Sequence, residues 1–446
     1  MDTRQRRKWI VGMIVFLTLL VGLTFPAYSG GQGEPGEVTL TYWVYSDPNT
    51  NPLEEELIGK YMAENPNIKV EMSVPGTTPD LNQKLLISLA GDAPPDTFNT
   101  YHGFFPQIAY RNQVDPIDLE VFGATSYAKL EEGWMPGSMR GWKWEDKLYG
   151  VPSSLSTYGM FINAAHFREA GLDPDQDFPR TWDEGEYSIA QLGQKLVKTD
   201  GKNITRQAFG MSGYAVVLNI VFQGLIRQLG GSIIGQDGRS STINSTAGVR
   251  ALTTYYDFVH TYGISAPTGE KLQNPGFDTG DTSIVVEGGP WFYTHLRENS
   301  PGVFQDGEGV RIYPYPRYQD GEDVPCPNYG YAYHVAAASE HQKEAWALID
   351  YLSSFPELHL ERAGQIQTRK GWENTQAAKD FPYFDVWIKE LGGGTAYMED
   401  PLNEAVYKAI SLSIFDKVAP KEALDRVKPE IDNYLKELPY KTQAAF

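Results

Sequence analysis

A single cysteine, Cys326, serves a chain of 446 residues. No internal disulfide can form and no paired-cysteine metal site exists, so an exported protein of this sequence must be held by its core. The usual catalytic signatures are missing as well. There is no H-E-x-x-H, no G-x-S-x-G and no phosphate-binding G-x-x-x-x-G-K-[ST], and "GMSGY" at 210–214 lacks the spacing of a nucleophile elbow. The seven histidines are scattered singly. Basic residues are in short supply, 38 Lys and Arg against 57 Asp and Glu, which argues against a nucleic-acid partner. Internal repeats and low-complexity tracts are also lacking. With 41% hydrophobic and 21% charged residues, the chain is long enough for two or more lobes with their own cores.

Long apolar runs are scarce, and the one at the start has a specific context. Arg4, Arg6, Arg7 and Lys8 precede an apolar stretch from Trp9 to Phe25, and Ala27 and Ser29 follow as small residues two apart. That order is the order of an export signal, with cleavage expected after Ser29; the alternative is an uncut anchor at the short edge of spanning length. The expectation is a signal peptide over 1–29 and a flexible leader over 30–37, in a periplasmic or extracellular protein. No cysteine lies near the cut, so no lipid anchor is expected there. Cleavage would leave 34 Lys and Arg against 56 Asp and Glu.

Beyond the leader, Val38, Leu40, Tyr42 and Val44 alternate with Thr39, Thr41 and Trp43 as in a strand. Leu53, Leu57, Tyr61 and Met62 then recur at helical spacing, and Ile68, Val70, Met72 and Val74 alternate again. Strand, helix and strand in so short a span make a βαβ unit with parallel strands and a right-handed crossover. Later helices carry recognisable ends. Ser339 with Gln342 reads as a capping box, Asn244 to Thr246 caps a helix that stops at Gly263, and Pro420 opens a last helix in which Pro429 predicts a kink. The expected fold class is α/β.

Four segments, in order, resemble the extracellular solute-binding proteins of carbohydrate ABC importers, the family similar to maltose-binding protein. They are "GDAPPDTFNTY" at 91–101, "YGVPSSLSTYGMFINAAHFREAGLDPDQDFPRTWDE" at 149–184, "TGDTSIVVEGGPWFYTHL" at 279–296 and "GYAYHVAAASEHQKEAWALIDYLSS" at 330–354. The resemblance implies a two-lobe, type II periplasmic-binding-protein fold. Residues 38–152 with 313–367 would form one lobe and 153–312 with 368–446 the other. A cleft between them would close on a ligand like a hinge. It further implies a sugar or oligosaccharide as ligand, a membrane permease as partner, a monomer, and neither catalysis nor a cofactor. The rival readings are a secreted carbohydrate-active enzyme, since two carboxylates suffice for glycoside hydrolysis, and a metal-binding transport protein.

A sugar site needs flat rings for the C–H face and polar groups for the hydroxyl rim. Trp43 and Asp47, at and beyond the end of the first strand, are candidates; the alternatives are a packing ring and a turn aspartate. Thr100, Tyr101 and His102 end the "DTFNTY" strand at a position the family uses for ligand. Gly103 and Phe104 stand where many of its sugar binders carry acids. Tyr158 lies past the first crossing. Trp291 is the leading candidate, since the family's corresponding Trp stacks on sugar beside an open Gly288-Gly289-Pro290 backbone, whereas Phe292 suits the core. Tyr331 and Tyr333 share a strand face with each other but not with His334, which disfavours a tyrosine–histidine metal site there. The acids at 173, 175, 177 and 184 have calcium-loop spacing, but Phe178 occupies the position that needs glycine, so a solvated turn is the preferred reading.

Overall fold

The computed structural model describes residues 36–91, 93–266, 276–286, 288–397 and 399–442. The expected export segment over 1–29, with the leader as far as residue 35, lies outside the described residues. Among the described residues no helix is long and apolar enough to cross a membrane. From Val38 onward the chain is a single unit.

Its strands, in chain order, are β1 (Val38–Trp43), β2 (Ile68–Ser73), β3 (Thr97–Tyr101), the short pair β4 (Lys143–Trp144) and β5 (Lys147–Leu148), β6 (Val151–Ser156), β7 (Met160–Asn163), β8 (Lys198–Asp200), β9 (Asn203–Gly210), β10 (Thr282–Val286), β11 (Val310–Tyr313) and β12 (Tyr329–Val335). They form two five-stranded sheets, β2-β1-β3-β12-β6 and β11-β7-β10-β9-β8. The first begins with the expected βαβ unit. β1 and β2 pair in parallel from Val38↔Ile68 to Trp43↔Ser73, with helix Thr50–Glu64 between them in sequence. Leu40, Tyr42 and Val44 are buried on one face of β1, where Leu53, Leu57 and Tyr61 of that helix meet them. A three-to-four-residue apolar spacing thus meets a two-residue one, and a single core joins helix to sheet.

The second sheet is mixed: β10 runs parallel to β9 and antiparallel to β7. Helices Ala215–Gln228, Thr246–His260, Asp400–Ile414 and Pro420–Glu437 pack on one another, with Phe222, Leu225, Leu252, Val406, Leu424 and Val427 fully enclosed or nearly so. Two stretches carry the chain between the sheets: the first lies between β6, which reaches Ser156, and β7, which starts at Met160, and the second links β11 to β12. A third crossing leaves helix Gln342–Leu352, passes buried Gln365, Gln367 and Thr368, and leads on to helix Asp400–Ile414, which packs on helix Ala215–Gln228. The crossing expected near residue 152 is therefore later in the chain, because Val151 to Ser156 stay paired with β12.

Helix ends differ in detail from the sequence reading. Ser339 makes no capping box with Gln342: its hydroxyl donates to Asp96 Oδ1 at 2.6 Å, and Gln342 reaches the Ala337 carbonyl. Ser245 is the N-cap of the helix after Asn244, accepting from Gly248 N, and that helix ends at His260 rather than Gly263. The last helix continues through Pro429 to Glu437.

Candidate functional site

The three crossings converge on a pocket of about 260 Å3. Ser156 comes from the first, Tyr329 from the second and Gln365 from the third, while Asp47 and Trp291 arrive from the ends of β1 and β10. Strand ends and the helix starts that follow them surround it, the usual place for a ligand in open α/β sheets.

Its aromatic wall is built by alternation. Tyr329, Tyr331 and Tyr333 leave one face of β12 at two-residue intervals, and depth along the strand sorts them. Tyr329 and Tyr331 line the pocket, whereas Tyr333 is fully buried and donates its hydroxyl to Glu54 Oε1 at 2.6 Å. Tyr333, expected as a site residue, is a core residue because its strand position is one pair too deep. Tyr331 stacks on Tyr45 at 4.3 Å and 23°, crosses Tyr329 at 70°, and its hydroxyl pairs with Thr78 Oγ1 at 3.0 Å. Burial above all pushes the phenols of Tyr45 and Tyr331 well above the usual value, so both stay neutral donors.

Trp291 lines the same pocket, half-buried in the first turn of helix Pro290–Asn299. Gly288 precedes it at φ +56°, and a Cβ there would lie 2.6 Å from Phe292 Cβ, so the close turn requires glycine. Gly364, at φ +63°, approaches from the third crossing, where a Cβ would come within 2.8 Å of Trp291 Cα and the Pro290 carbonyl. Trp291 Nε1 is buried and has no hydrogen-bond partner among the described residues. Phe292, in contrast, meets Phe161 edge-on at 4.9 Å inside the core. Asp47 uses Oδ1 to accept the N–H groups of Asn49 and Thr50, at 2.9 and 2.8 Å, tying down the start of the next helix while lining the pocket.

The remaining candidates divide. Trp43 is half-buried on the other face of β1, outside this pocket, and packs against the larger core. Tyr158 is fully buried and tilted against Tyr329 at 6.1 Å, behind the wall rather than on it. Thr100 is buried with its hydroxyl 3.5 Å from Asn82 Oδ1. Tyr101 extends from β3 to the start of helix Asp400–Ile414 and donates to Asp400 Oδ1 at 3.0 Å. His102 stacks on Trp142 at 4.1 Å, accepts the Gly330 N–H at Nδ1, and faces a different cavity. Burial depresses it to about 3, so the ring is neutral.

Metal chemistry finds no support in either stretch that the sequence raised. His334 turns away from Tyr331 and Tyr333 and bonds the Tyr149 carbonyl. In the 173–184 stretch, Asp173 and Asp177 hold local backbone N–H groups, Asp175 pairs with Arg311, and Phe178 stacks on Tyr313 at 3.6 Å. Among the described residues no cluster of three or more His, Cys, Asp or Glu is placed to hold an ion.

Residues 47–354 match the model of the bacterial extracellular solute-binding proteins. The chain belongs to that family. A relative, the arabinooligosaccharide-binding protein of Bacillus subtilis, is 23% identical over 91% of this chain and 89% of its own length. The GacH receptor of Streptomyces glaucescens, solved unliganded and with acarbose, superposes with a TM-score of 0.73 at 18% identity, over 90% of this chain and 99% of that one. UgpB of Mycobacterium tuberculosis, solved with glycerophosphocholine, has the same TM-score, identity and coverage. This solute-binding protein thus has the two-lobe, type II fold expected from its sequence.

Tyr45, Tyr329, Asn49 and Ser156 were not singled out in the sequence. The Tyr-x-Tyr-x-Tyr repeat over 329–333 carried the signal for Tyr329, since three rings on one face must sit at three depths. Nothing comparable marked Tyr45, which follows Val44 past the end of the alternation.

Proposed function

We propose that this protein is the exported binding component of an ABC importer, that it takes a saccharide between its lobes, and that it performs no catalysis. The carrying observation is the pairing of Trp291 with the stacked Tyr45 and Tyr331 across a pocket that also holds Asp47. Flat, half-wet rings suit the C–H face of a sugar; an aspartate, a serine and neutral phenols suit its hydroxyls. Trp291 Nε1–H has no partner among the described residues, and a ligand oxygen is a natural one. Arabinooligosaccharide binding by the Bacillus subtilis relative supports the same class.

On this reading Trp291, Asp47, Tyr45, Tyr329 and Tyr331 contact ligand, and the lobes close on it about the three crossings. Closure follows because a ligand that touches both lobes favours the state in which it touches both. Export with cleavage after Ser29, a monomeric state and delivery to a membrane permease complete the proposal. A thermal-shift screen of the secreted protein over a saccharide library, with chromatography of the hits after incubation, tests it. Stabilisation by a saccharide recovered intact is the expected result; recovery of hydrolysed product, or stabilisation by metal salts alone, contradicts it.

A further inference from the structure

Ser156 and Tyr329, at the first two crossings, pair across β6 and β12 and line the Trp291 pocket, whereas their neighbours Leu155 and Asn328 line a cavity of about 580 Å3. Successive strand residues point to opposite faces, so this cavity lies behind the crossings. The end of β3 divides in the same way. Tyr101 turns toward Tyr331, at 6.3 Å, while His102 lines another cavity, of about 370 Å3, that shares Arg140 and Thr395 with the one behind the crossings. Both cavities are therefore on the far side of the crossings from Trp291.

Three rings meet on that far side. Tyr440, carried by the tail beyond the last helix, is buried where it lines the 370 Å3 cavity, and its ring meets Trp144 edge-on at 5.3 Å and Tyr110 at 5.6 Å. Tyr110 ends the short helix after β3 and Trp144 lies on β4, which packs beside that helix, whereas the last helix packs on Thr246–His260 and Asp400–Ile414. The sequence reading assigned these two groups of segments to different lobes. The tail is fixed on its own side both before and after the ring. Arg239 donates to the carbonyls of Leu435 and Leu438 at 3.1 and 2.6 Å, and the Thr442 N–H reaches the Gly238 carbonyl at 3.3 Å. Gly238 has φ +64°, and a Cβ there would lie 2.6 Å from the Thr442 carbonyl oxygen, so the close approach requires glycine. A side chain anchored at both flanks on one body thus inserts its ring between two rings of the other.

We infer that Tyr440, held between Tyr110 and Trp144 by the C-terminal tail, is an autoinhibitory clasp that opposes closure of the Trp291 pocket. The inference rests on the hinged saccharide-binding reading above and adds to it an element that sets the balance between open and closed. A rotation about the crossings that narrows the Trp291 side widens the opposite side, so the ring contacts weaken as the pocket closes. Whatever they contribute favours the open state. The apparent affinity for a ligand that needs the closed state is reduced by the fraction of protein able to adopt it, and loosening the clasp raises that fraction. Removing a clasp ring should therefore do the opposite of removing a ligand contact and strengthen binding.

Calorimetric titration with the saccharide that the library screen selects tests it on the wild type, Tyr440→Ala, Tyr110→Ala and the double variant, with unfolding midpoints confirming that each folds. Tyr110 is 45% exposed, so Tyr110→Ala supplies a folded clasp variant even where Tyr440→Ala does not. Each single variant should bind roughly two- to tenfold more tightly than the wild type, the range of one aromatic pair. The double variant should bind no more tightly than Tyr440→Ala, because both substitutions break the same contact. Unchanged or weaker binding by the folded single variants, or gains that add in the double variant, overturn the clasp and leave the saccharide reading standing. Failure of every saccharide to bind the wild type overturns that reading instead, and small-angle scattering without ligand then decides the clasp: a smaller radius of gyration in the folded variants supports it and an unchanged radius overturns it.

Discussion

Tyr101 Oη and Asp400 Oδ1 lie 3.0 Å apart, a hydrogen bond that ties the end of β3 to the start of helix Asp400–Ile414, segments that the sequence reading assigned to different lobes. Burial, reinforced by the nearby Asp400 carboxylate, pushes the tyrosine far above its ordinary range, so it stays a neutral donor at any physiological pH. If the lobes move as proposed, this bond would act as a latch between them.

Tyr101→Phe should therefore open the ligand-free protein. A buried hydrogen bond to a charged group contributes about 1.5 to 3 kcal/mol, enough to shift a two-state hinge equilibrium by a factor of ten or more. Small-angle scattering should record a larger radius of gyration for the variant without ligand. An unchanged radius would mean that the latch carries no closure energy.

Gly364→Ala should disturb Trp291 from the far side of the pocket. The position has φ +63°, and its Cβ would meet backbone at Trp291 and Pro290 at 2.8 Å, neither of which can swing aside as a side chain would. The backbone conformation alone costs about 1 to 2 kcal/mol, so the unfolding midpoint should fall and saccharide affinity with it. An alanine variant as stable as the parent would show that the third crossing is not packed this tightly.

Glu54 gives the fold a pH dependence of unusual sign for a carboxylate. It is buried beneath the hydroxyls of Tyr42 and Tyr333, at 2.8 and 2.6 Å, and desolvation raises it from 4.5 to about 7 despite those donors. Between those values the native state keeps a proton that the unfolded state has released. The contribution is fully present below about pH 4.5 and is lost as pH rises to about 7, by roughly 3 kcal/mol at 1.4 kcal/mol per unit. Glu54→Gln cannot titrate. Urea denaturation across this window should show wild-type stability falling relative to Glu54→Gln as pH increases; a constant difference between the two would contradict the raised value.

How much of this was written in the sequence depends on periodicity. The βαβ start was legible because Leu40-Tyr42-Val44 and Leu53-Leu57-Tyr61 carry clean periods of two and four, and a chain that buries both can pack them in few ways. A ring on the pocket wall was legible where glycines isolate it, as at Gly288-Gly289-Pro290 before Trp291. Depth was not legible. Tyr331 and Tyr333 share residue type, strand and face, and only the distance of each from the strand end makes one a pocket wall and the other a partner of Glu54. The cap at Ser339 was misread for a related reason, since its hydroxyl had a non-local acceptor, Asp96, that no local pattern reveals, whereas Ser245 and Pro420 stand at the helix starts where they were placed.

The central claim, that Trp291 is a wall of the ligand site rather than a core ring, is tested most directly by calorimetric titration of Trp291→Ala beside Phe292→Ala, using the saccharide that the library screen selects. Loss of a stacking face worth about 0.5 to 1.5 kcal/mol beyond its buried area should weaken Trp291→Ala binding at least tenfold, roughly 1.4 kcal/mol, with a modest change in unfolding midpoint. Phe292→Ala should show the reverse, a stability loss of about 3 to 5 kcal/mol typical of a core ring, with little affinity lost in the folded fraction. Normal saccharide binding by Trp291→Ala, with a collapse in its stability, would contradict the account.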